Sequence, residues 1–584
     1  MPAKKTRKAT RGRPAAPRET YDVAVLGAHL SGGLLAAILA HRGARVVLVD
    51  TPDDHAGTPG ETTVPYTSEV FALLASRFDI PEIATFAHFT DLPDEVRTSS
   101  GVKRSLGFLY HERGHEQDPR KSVQFNVPGE HTEWHLYRPT VDAYARRIAA
   151  TYGAERDPAG APLRAVSLHD EGVDLTLEGD RELTARYVVD ASGPDSPLLA
   201  AAGVSGVPSD SPHLPLRSRL LSAHLTGVRP YEQVAAQSRY QNTTDWSLGS
   251  FHHVFDGGWI EVVDFANHSA SQNRHTSVTV SVCPTKFADL PDDPEAAFRA
   301  LIARFPSVAG QFATASVVGS WTHAPAWQWR AERTFGRRWL AIDRAAVRAE
   351  EVLARDVTVS MELVHATAVG LLRVLRDPDV EQREFERIAT YQDRLTEYND
   401  QLQQGLRTAS GHFQLLNAYL RVWLLWQILA DLALKRARLE CGDGPGQSWD
   451  AVEEFDSALW FRTPEGLGRA LRHTFDQLAK VRRQDTREVT AAREIFAWLS
   501  RERFVPPLYR FADPKATVYK FTAWRRVLML LWVKTLAPAD FQRLLTRDNV
   551  TGRRDDAPPT ATPTRSDTSS AVSDRAQPRT GVSA

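Results

Sequence analysis

Cysteine, an excess of charge and a clean apolar run are what this chain lacks. With two cysteines, Cys283 and Cys441, in 584 residues, neither a disulfide framework nor a thiolate metal site is available, and a reducing, cytoplasmic setting suits that usage. No His, Cys and carboxylate grouping has metal-ligand spacing, and His252 and His253, adjacent on a strand candidate, point to opposite faces. Lys and Arg number 71 against 72 Asp and Glu, a net charge of -1, so no global attraction to nucleic acid or anionic lipid is expected. The longest apolar run, Leu415 to Leu434, is broken by Arg421, Gln427 and Asp431 and reads as a buried helix, with no stable membrane insertion. Lys4, Lys5, Arg7, Lys8, Arg11 and Arg13 have no apolar stretch behind them, which excludes a secretory signal. Neither a P-loop nor a nucleophile elbow occurs.

What is present divides along the chain. Residues 1–19 are basic and poor in apolar side chains, and 552–584 are rich in Asp, Ser, Thr, Pro and Arg, so both read as disordered tails. Arg11-Gly12-Arg13-Pro14 resembles the core of an AT-hook, but one short copy reads as solvated tail. Between the tails, residues 20–355 are mixed. Strand-like runs at Val23 to Leu26, Val46 to Val49 and Tyr187 to Val189 alternate with helical stretches such as Gly33 to His41. Strand candidates Trp259 to Phe265 and Ser277 to Cys283, within about 214–335, predict an antiparallel, substrate-facing sheet. Residues 356–551 are helical, with periodic segments at Glu381 to Leu406, Gln414 to Lys435 and Thr522 to Leu536. The fold class is α/β followed by an α lobe.

Tyr21 to Asp50 carries the first chemical signal. An apolar strand runs into Gly27-Ala28-His29-Leu30-Ser31-Gly32, a small-residue helix follows, and a second strand ends in Asp50. Glycines admit backbone amides to a pyrophosphate at the helix N-terminus, and an acid about twenty residues on accepts hydrogen bonds from ribose hydroxyls. Gly27, Ser31, Gly32 and Asp50 stand at those places, while His29 replaces the middle glycine and brings an imidazole that either meets the phosphates or donates to one. Downstream, Tyr187-Val188-Val189-Asp190-Ala191-Ser192-Gly193 is a strand entering a small-residue turn, and the pair of signals favours flavin.

Further segments give this unit a family. Gly60-Glu61-Thr62-Thr63-Val64-Pro65 resembles the G-E-[ST]-T-[VI]-P segment of flavin-dependent halogenases. Val102 to His111, with Lys103, is similar to the lysine segment of members acting on phenols and pyrroles. Arg138 to Asp142 resembles the R-x-x-[FV]-D helix start, Asp190 to Gly193 is similar to the D-A-S-G turn, and Gly257-Gly258-Trp259 stands before a partial W-x-W-x-I-P. Together they cover about residues 21–345. The resemblance implies a Rossmann-like, discontinuous FAD domain of the class A flavin monooxygenase type. Reduced FAD comes from a separate flavin reductase, and halide becomes hypohalous acid that reaches an active-site lysine beside the acceptor. Lys103 is the candidate catalytic residue, since a lysine desolvated among apolar groups has the lowered pKa that capture of electrophilic halogen requires. Gly27, His29, Ser31, Gly32, Asp50, Glu61, Thr62, Arg138, Asp190, Gly193 and Asp343 are the candidate cofactor contacts.

Departures are equally visible. Glu261 and Asp264 replace the second tryptophan and the proline of W-x-W-x-I-P, and Val347 to Arg355, where a cofactor-facing helix start belongs, has neither Gly nor Pro. Three readings follow: a halogenase acting on an aromatic or polyene-type acceptor, free or tethered to a carrier protein; a hydroxylating flavin monooxygenase of the same fold; and a catalytically silent scaffold relative.

Overall fold

The computed structural model describes residues 19–51, 60–126, 133–157, 160–193, 195–211, 213–234, 242–350, 353–441, 448–449, 452, 465–539 and 542. The Arg11-Gly12-Arg13-Pro14 segment and both expected tails lie outside the described residues, except that the first strand already begins at Glu19.

The first sheet is built on strand Glu19–Leu26, which runs parallel between Val46–Val49 and Glu182–Asp190. Trp339–Ala341 extends the parallel set beyond Glu182–Asp190, whose start also pairs antiparallel with Gly172–Leu177. Val23, Ala24, Val25 and Leu26 are all fully buried, as expected of a parallel strand covered on both faces, so its sequence is a continuous apolar run. Helix Leu30–His41 forms the crossover to Val46–Val49 and is buried on all sides from Leu30 to Leu39. Leu26, Asp190 and Ala341 are register neighbours at the carboxyl ends of three adjacent strands. The turns after them therefore emerge side by side, at the edge where open α/β sheets bind ligands.

The second sheet is antiparallel throughout residues 214–335 and becomes mixed only through strands from outside them. Strands Arg219–Thr226, Thr276–Val282, Gly258–Asp264 and Ser250–Phe255 pair antiparallel in that order, with Ser316–Ala324 outside the first. The sheet then continues through Ser105–Tyr110, parallel to Ser250–Phe255, then Ser122–Asn126, and ends on Val518–Tyr519, again parallel. Strands from far outside 214–335 thus complete it. They are recruited because Phe108 and Phe125 bury apolar area there, a non-local gain that local strand patterning cannot show.

Helices Asp356–Arg376, Glu381–Ala409, Phe413–Glu440, Glu465–Arg482, Glu488–Leu499 and Ala523–Thr535 follow. Asp356–Arg376 is long and apolar enough to cross a membrane by length and composition, yet 83% of its most apolar window is buried. It packs against Leu30–His41 and Pro65–Phe78, and reads as a core helix.

Candidate active site

The starts of helices Leu30–His41, Arg138–Thr151 and Asp356–Arg376 and the turns at Ala191 and Asp343 converge on a cleft lined by His29, Leu30, Ser31, Arg138, Ala191, Asp343, Arg344, Asp356, Val357, Ser360 and Met361. Gly27 holds φ of +91°, and a side chain there would strike the Ser192 backbone; one on Gly32 would sit against the Gly27 carbonyl oxygen. Only glycine permits this tight approach of helix to strand. The Leu30 amide donates to Asp142 Oδ1 at 2.9 Å, and Arg138 Nε and Nη2 reach the same oxygen at 3.2 Å. One buried carboxylate thus caps the helix and orients a guanidinium at its mouth. Arg344 pairs with Asp356 at 3.2 Å, and Ser360 donates to Asp343 at 3.0 Å.

The other expected cofactor residues stand as follows. Asp190 is fully buried and accepts from the Ser192 amide and hydroxyl at 2.8 and 2.6 Å, which fixes the turn leading to Gly193. Asp50 ends the second strand with its carboxylate on Arg156, and does not line the cleft. The stretch without Gly or Pro forms a short strand, Val347–Arg348, paired with Trp329–Arg330; residues 351 and 352 lie outside the described residues. Leu353 and Ala354 then take φ of 66° and 54° before the helix starting at Asp356. Two side-chain-bearing residues in the left-handed region cost of order 1 kcal/mol each or more, strain of the kind that gathers at functional sites.

Glu61, Thr62 and Thr63 form a strap between the two sheets. Glu61 accepts from His224 Nε2 at 3.0 Å, Thr62 bridges to His135, and the Thr63 carbonyl takes the Lys103 Nζ at 2.7 Å. Lys103 is 1% exposed, and burial pulls its ammonium down to about 8, while the nearby Glu261 and Glu133 carboxylates partly resist this. Burial in turn pushes Glu133 and Glu261 up, with Lys103 opposing. Glu133 is the cross-strand partner of Lys103, and its two carboxyl oxygens stand 3.0 and 2.9 Å from Ser68 Oγ.

Beneath the strap lies a polar sheet face. Phe108, His252, Glu261, Thr279 and Ser222 occupy one register row across five strands, all buried. The next row toward the strap is Leu106, Ser250, Val263, Ser277 and His224. The alternating positions Leu221, Ala223, Phe251, Ile260, Val262, Val278 and Val280 form a separate apolar core with Phe298, Leu301 and Val308. A sheet with an apolar face under helices normally gives its polar face to water; here that face is buried as well. Glu261, read only as a departure from a motif, belongs to this row, and the two-residue period of Ser250-x-His252 and Ser277-x-Thr279-x-Ser281 was the available signal.

This fold and site define a flavin-dependent halogenase, and the chain belongs to that family. It is similar to tetracycline 7-halogenase of Kitasatospora aureofaciens, 30% identical over 406 residues, covering 69% of this chain and 72% of that protein. It is also similar to monodechloroaminopyrrolnitrin halogenase PrnC of Pseudomonas fluorescens, 28% identical over 547 residues, 90% of this chain and 93% of that one. A crystal structure of halogenase PltM with phloroglucinol and FAD superposes with a TM-score of 0.78 at 24% identity, covering 85% of this chain and 99% of that one. No family model matches the chain. The protein is thus an oxidoreductase whose cofactor is FAD, reduced by a separate flavin reductase, and its substrates are small molecules.

The residues present fit that cofactor. Gly27 and Gly32 leave no room for side chains, the first turn of Leu30–His41 opens on the cleft with His29 and Ser31 in its lining, and Arg138 and Arg344 are held beside it by Asp142 and Asp356. A diphosphate there would meet a helix start and two guanidinium groups, with the Asp343 and Asp356 carboxyl groups in the same lining.

Proposed function

We propose that this chain halogenates an electron-rich aromatic acceptor in the chamber between the polar sheet face and the Glu61–Thr63 strap, with Lys103 delivering the halogen. The observation that carries this reading is Lys103 itself: fully buried, tethered to a backbone carbonyl, and beside two carboxyl groups that burial pushes toward neutrality. Bound reduced FAD would supply the oxidation of halide by dioxygen to hypohalous acid. Gly27, His29, Ser31, Gly32, Arg138, Asp190, Gly193 and Asp343 are the groups that would hold it in a class A monooxygenase type of domain, with Asp50 toward the ribose.

The remaining chemistry is the chain's own. A neutral Lys103 amine takes the halogen from hypohalous acid onto its lone pair and water leaves. The ring carbon attacks the halogen, the N–halogen electron pair returns to nitrogen, and the ring proton ends on that nitrogen, directly or by way of Glu261. The net change is arene plus hypohalous acid to haloarene plus water. Glu61 and Thr62 keep the strap in place through His224 and His135.

An electrophilic halogen needs an electron-rich partner, and the similar proteins are named for monodechloroaminopyrrolnitrin and tetracycline or hold phloroglucinol. The acceptor arrives free or on a carrier protein, in the cytoplasm. We assign residues 20–355 to the cofactor and chamber, and 356–551 to the lobe that closes it. The test is product mass from the FAD-loaded protein, a flavin reductase, bromide and a phenol. A brominated phenol that disappears in Lys103→Ala, while FAD content stays the same, supports the reading. Bromination that survives the substitution overturns the role of Lys103, and a hydroxylated product independent of bromide overturns halogenation.

A further inference from the structure

Of the seven large hydrophobic side chains exposed among the described residues, three are scattered singly and four gather at one place. Trp524, Val527 and Leu531 lie on helix Ala523–Thr535, and Leu536 follows its end; they are between 47% and 68% exposed. Single exposed apolar side chains are ordinary, but a contiguous set marks a contact surface. The three on the helix are spaced by three and four residues, so they share one face. The opposite face is apolar as well: Val533 is buried, and Met529 and Trp532 pack against the core. A helix at the surface of a globular protein turns polar residues outward, and this one does not. It is nonetheless a defined element, capped by Thr522, which accepts from the Arg525 amide at 3.3 Å, and anchored through the Phe521 amide, which donates to Asn126 at 2.7 Å.

The charge around this face has one sign. From Arg501 to Ala539 the chain carries eight Lys and Arg against two acids, although its net charge is -1. Of the two acids, Asp513 is paired with Arg510, and no Asp or Glu occurs between Pro514 and Ala539. Lys534, on the outward face of the helix itself, is exposed, as are Lys515 and Lys520 ahead of it. This combination decides between occupants. A second copy of the chain, meeting this face about a two-fold axis, would set the cations against their own kind. Nucleic acid would take the cations but leave Val527 and Leu531 without a partner. A protein partner would need a groove shaped to the helix, whereas a bilayer needs no shape. A bilayer surface containing anionic lipid suits both features: Trp524 fits the headgroup level, Val527 and Leu531 the acyl boundary, and the cations the phosphates. Thirteen residues are too few to span it, so the helix would lie in the plane of the surface.

We infer that helix Ala523–Thr535 is a peripheral docking helix, and that its partner is the surface of a bilayer rich in anionic phospholipid. The inference goes beyond the halogenase reading and does not depend on the chemistry assigned to Lys103. A chain of near-zero net charge can bind in this way, because salt limits the reach of each charge to about 8 Å under physiological conditions and only the local patch is felt.

The experiment floats the FAD-loaded full chain with vesicles of mixed phosphatidylglycerol and phosphatidylcholine, titrated in lipid, and with vesicles of phosphatidylcholine alone. Wild type should rise with the first and not with the second, and raised salt should release it. Lys534→Gln should weaken binding roughly five-fold, the contribution of about one surface cation. Trp524→Ser combined with Leu531→Ser should weaken it about ten-fold or more. Both variants should keep the wild-type melting temperature, since all three side chains stand in solvent. A wild type that floats with neither kind of vesicle, or equally with both, overturns the inference, as does flotation that survives the double substitution. A melting temperature that falls in the double variant would mean that these side chains are packed, which overturns it too. Sedimentation of vesicle-free wild type as a dimer that the double substitution splits would assign the face to a second copy instead.

Discussion

Glu261 Oε1 and His252 Nε2 stand 3.6 Å apart as direct neighbours on antiparallel strands. The His252 Nδ1 is directed at the Gly107 carbonyl at 3.3 Å, so a neutral ring with its hydrogen on Nδ1 turns a lone pair toward the carboxyl group. Burial lowers His252 to about 3, which keeps it neutral. That lone pair favours the protonated carboxyl group, in the same direction as burial, and Lys103 opposes both.

That relationship fixes the direction of a pH effect. Glu261 raises the Lys103 pKa against the pull of burial, so Glu261→Gln should lower it further. With a neutral amine as the capturing form, bromination should rise with pH through about 8 in the wild type, and this limb should move to lower pH in the variant. A pH profile of kcat measured with pre-reduced FAD shows the shift; an unmoved limb argues against a titrating Lys103.

Asp142 serves the helix start and Arg138 at once. Asp142→Ala removes the Leu30 cap and leaves a buried guanidinium without its carboxylate, changes expected to cost about 3–5 kcal/mol together. Denaturant unfolding should show this loss, and FAD affinity should fall with it. Asp142→Asn, which keeps an acceptor, should be milder on both measurements.

Gly32 tolerates no side chain. A Cβ at that position would lie 2.0 Å from the Gly27 carbonyl oxygen, and backbone must move to relieve the overlap. Gly32→Ala should destabilise the protein by roughly 2 kcal/mol or more and lower FAD occupancy. Retained stability with full flavin content would show that the turn is more pliable than its geometry implies.

His224 ties the strap to the second sheet. Burial lowers its pKa, but the Glu61 carboxylate outweighs this and holds the imidazole above its ordinary value. The stabilisation it contributes is therefore complete below the unfolded value of about 6.5 and is lost as pH rises through the folded one. The melting temperature gap between wild type and His224→Gln should be widest below about pH 6.5 and narrow above it, with roughly 1–2 kcal/mol at stake. A gap that does not change with pH would mean the contact is neutral throughout.

Much of the scaffold was legible in the residues. Val23 to Leu26, Val46 to Val49 and Tyr187 to Val189 are strands, and the segments around Glu381 to Leu406 and Gln414 to Lys435 are helices, because continuous apolar runs and 3.6-residue periodicity are local signals. The ordered motifs from Gly60 to Gly193 identified the halogenase family, which the relatives show. The parallel attachment of Ser105–Tyr110 and Val518–Tyr519 to the second sheet was not legible, since strand pairing over such separations depends on which apolar faces meet.

The chain by itself identified the family through motifs at short spacing, and that resemblance implied FAD and offered Lys103 as the candidate lysine. Tertiary structure alone decided that Lys103 is buried between Glu133 and Glu261, that Asp142 holds both Leu30 and Arg138, and that Ser222, His252, Glu261 and Thr279 share one enclosed row. Burial sets the protonation of a lysine, and burial is a property of the packed elements, so no local pattern carries it.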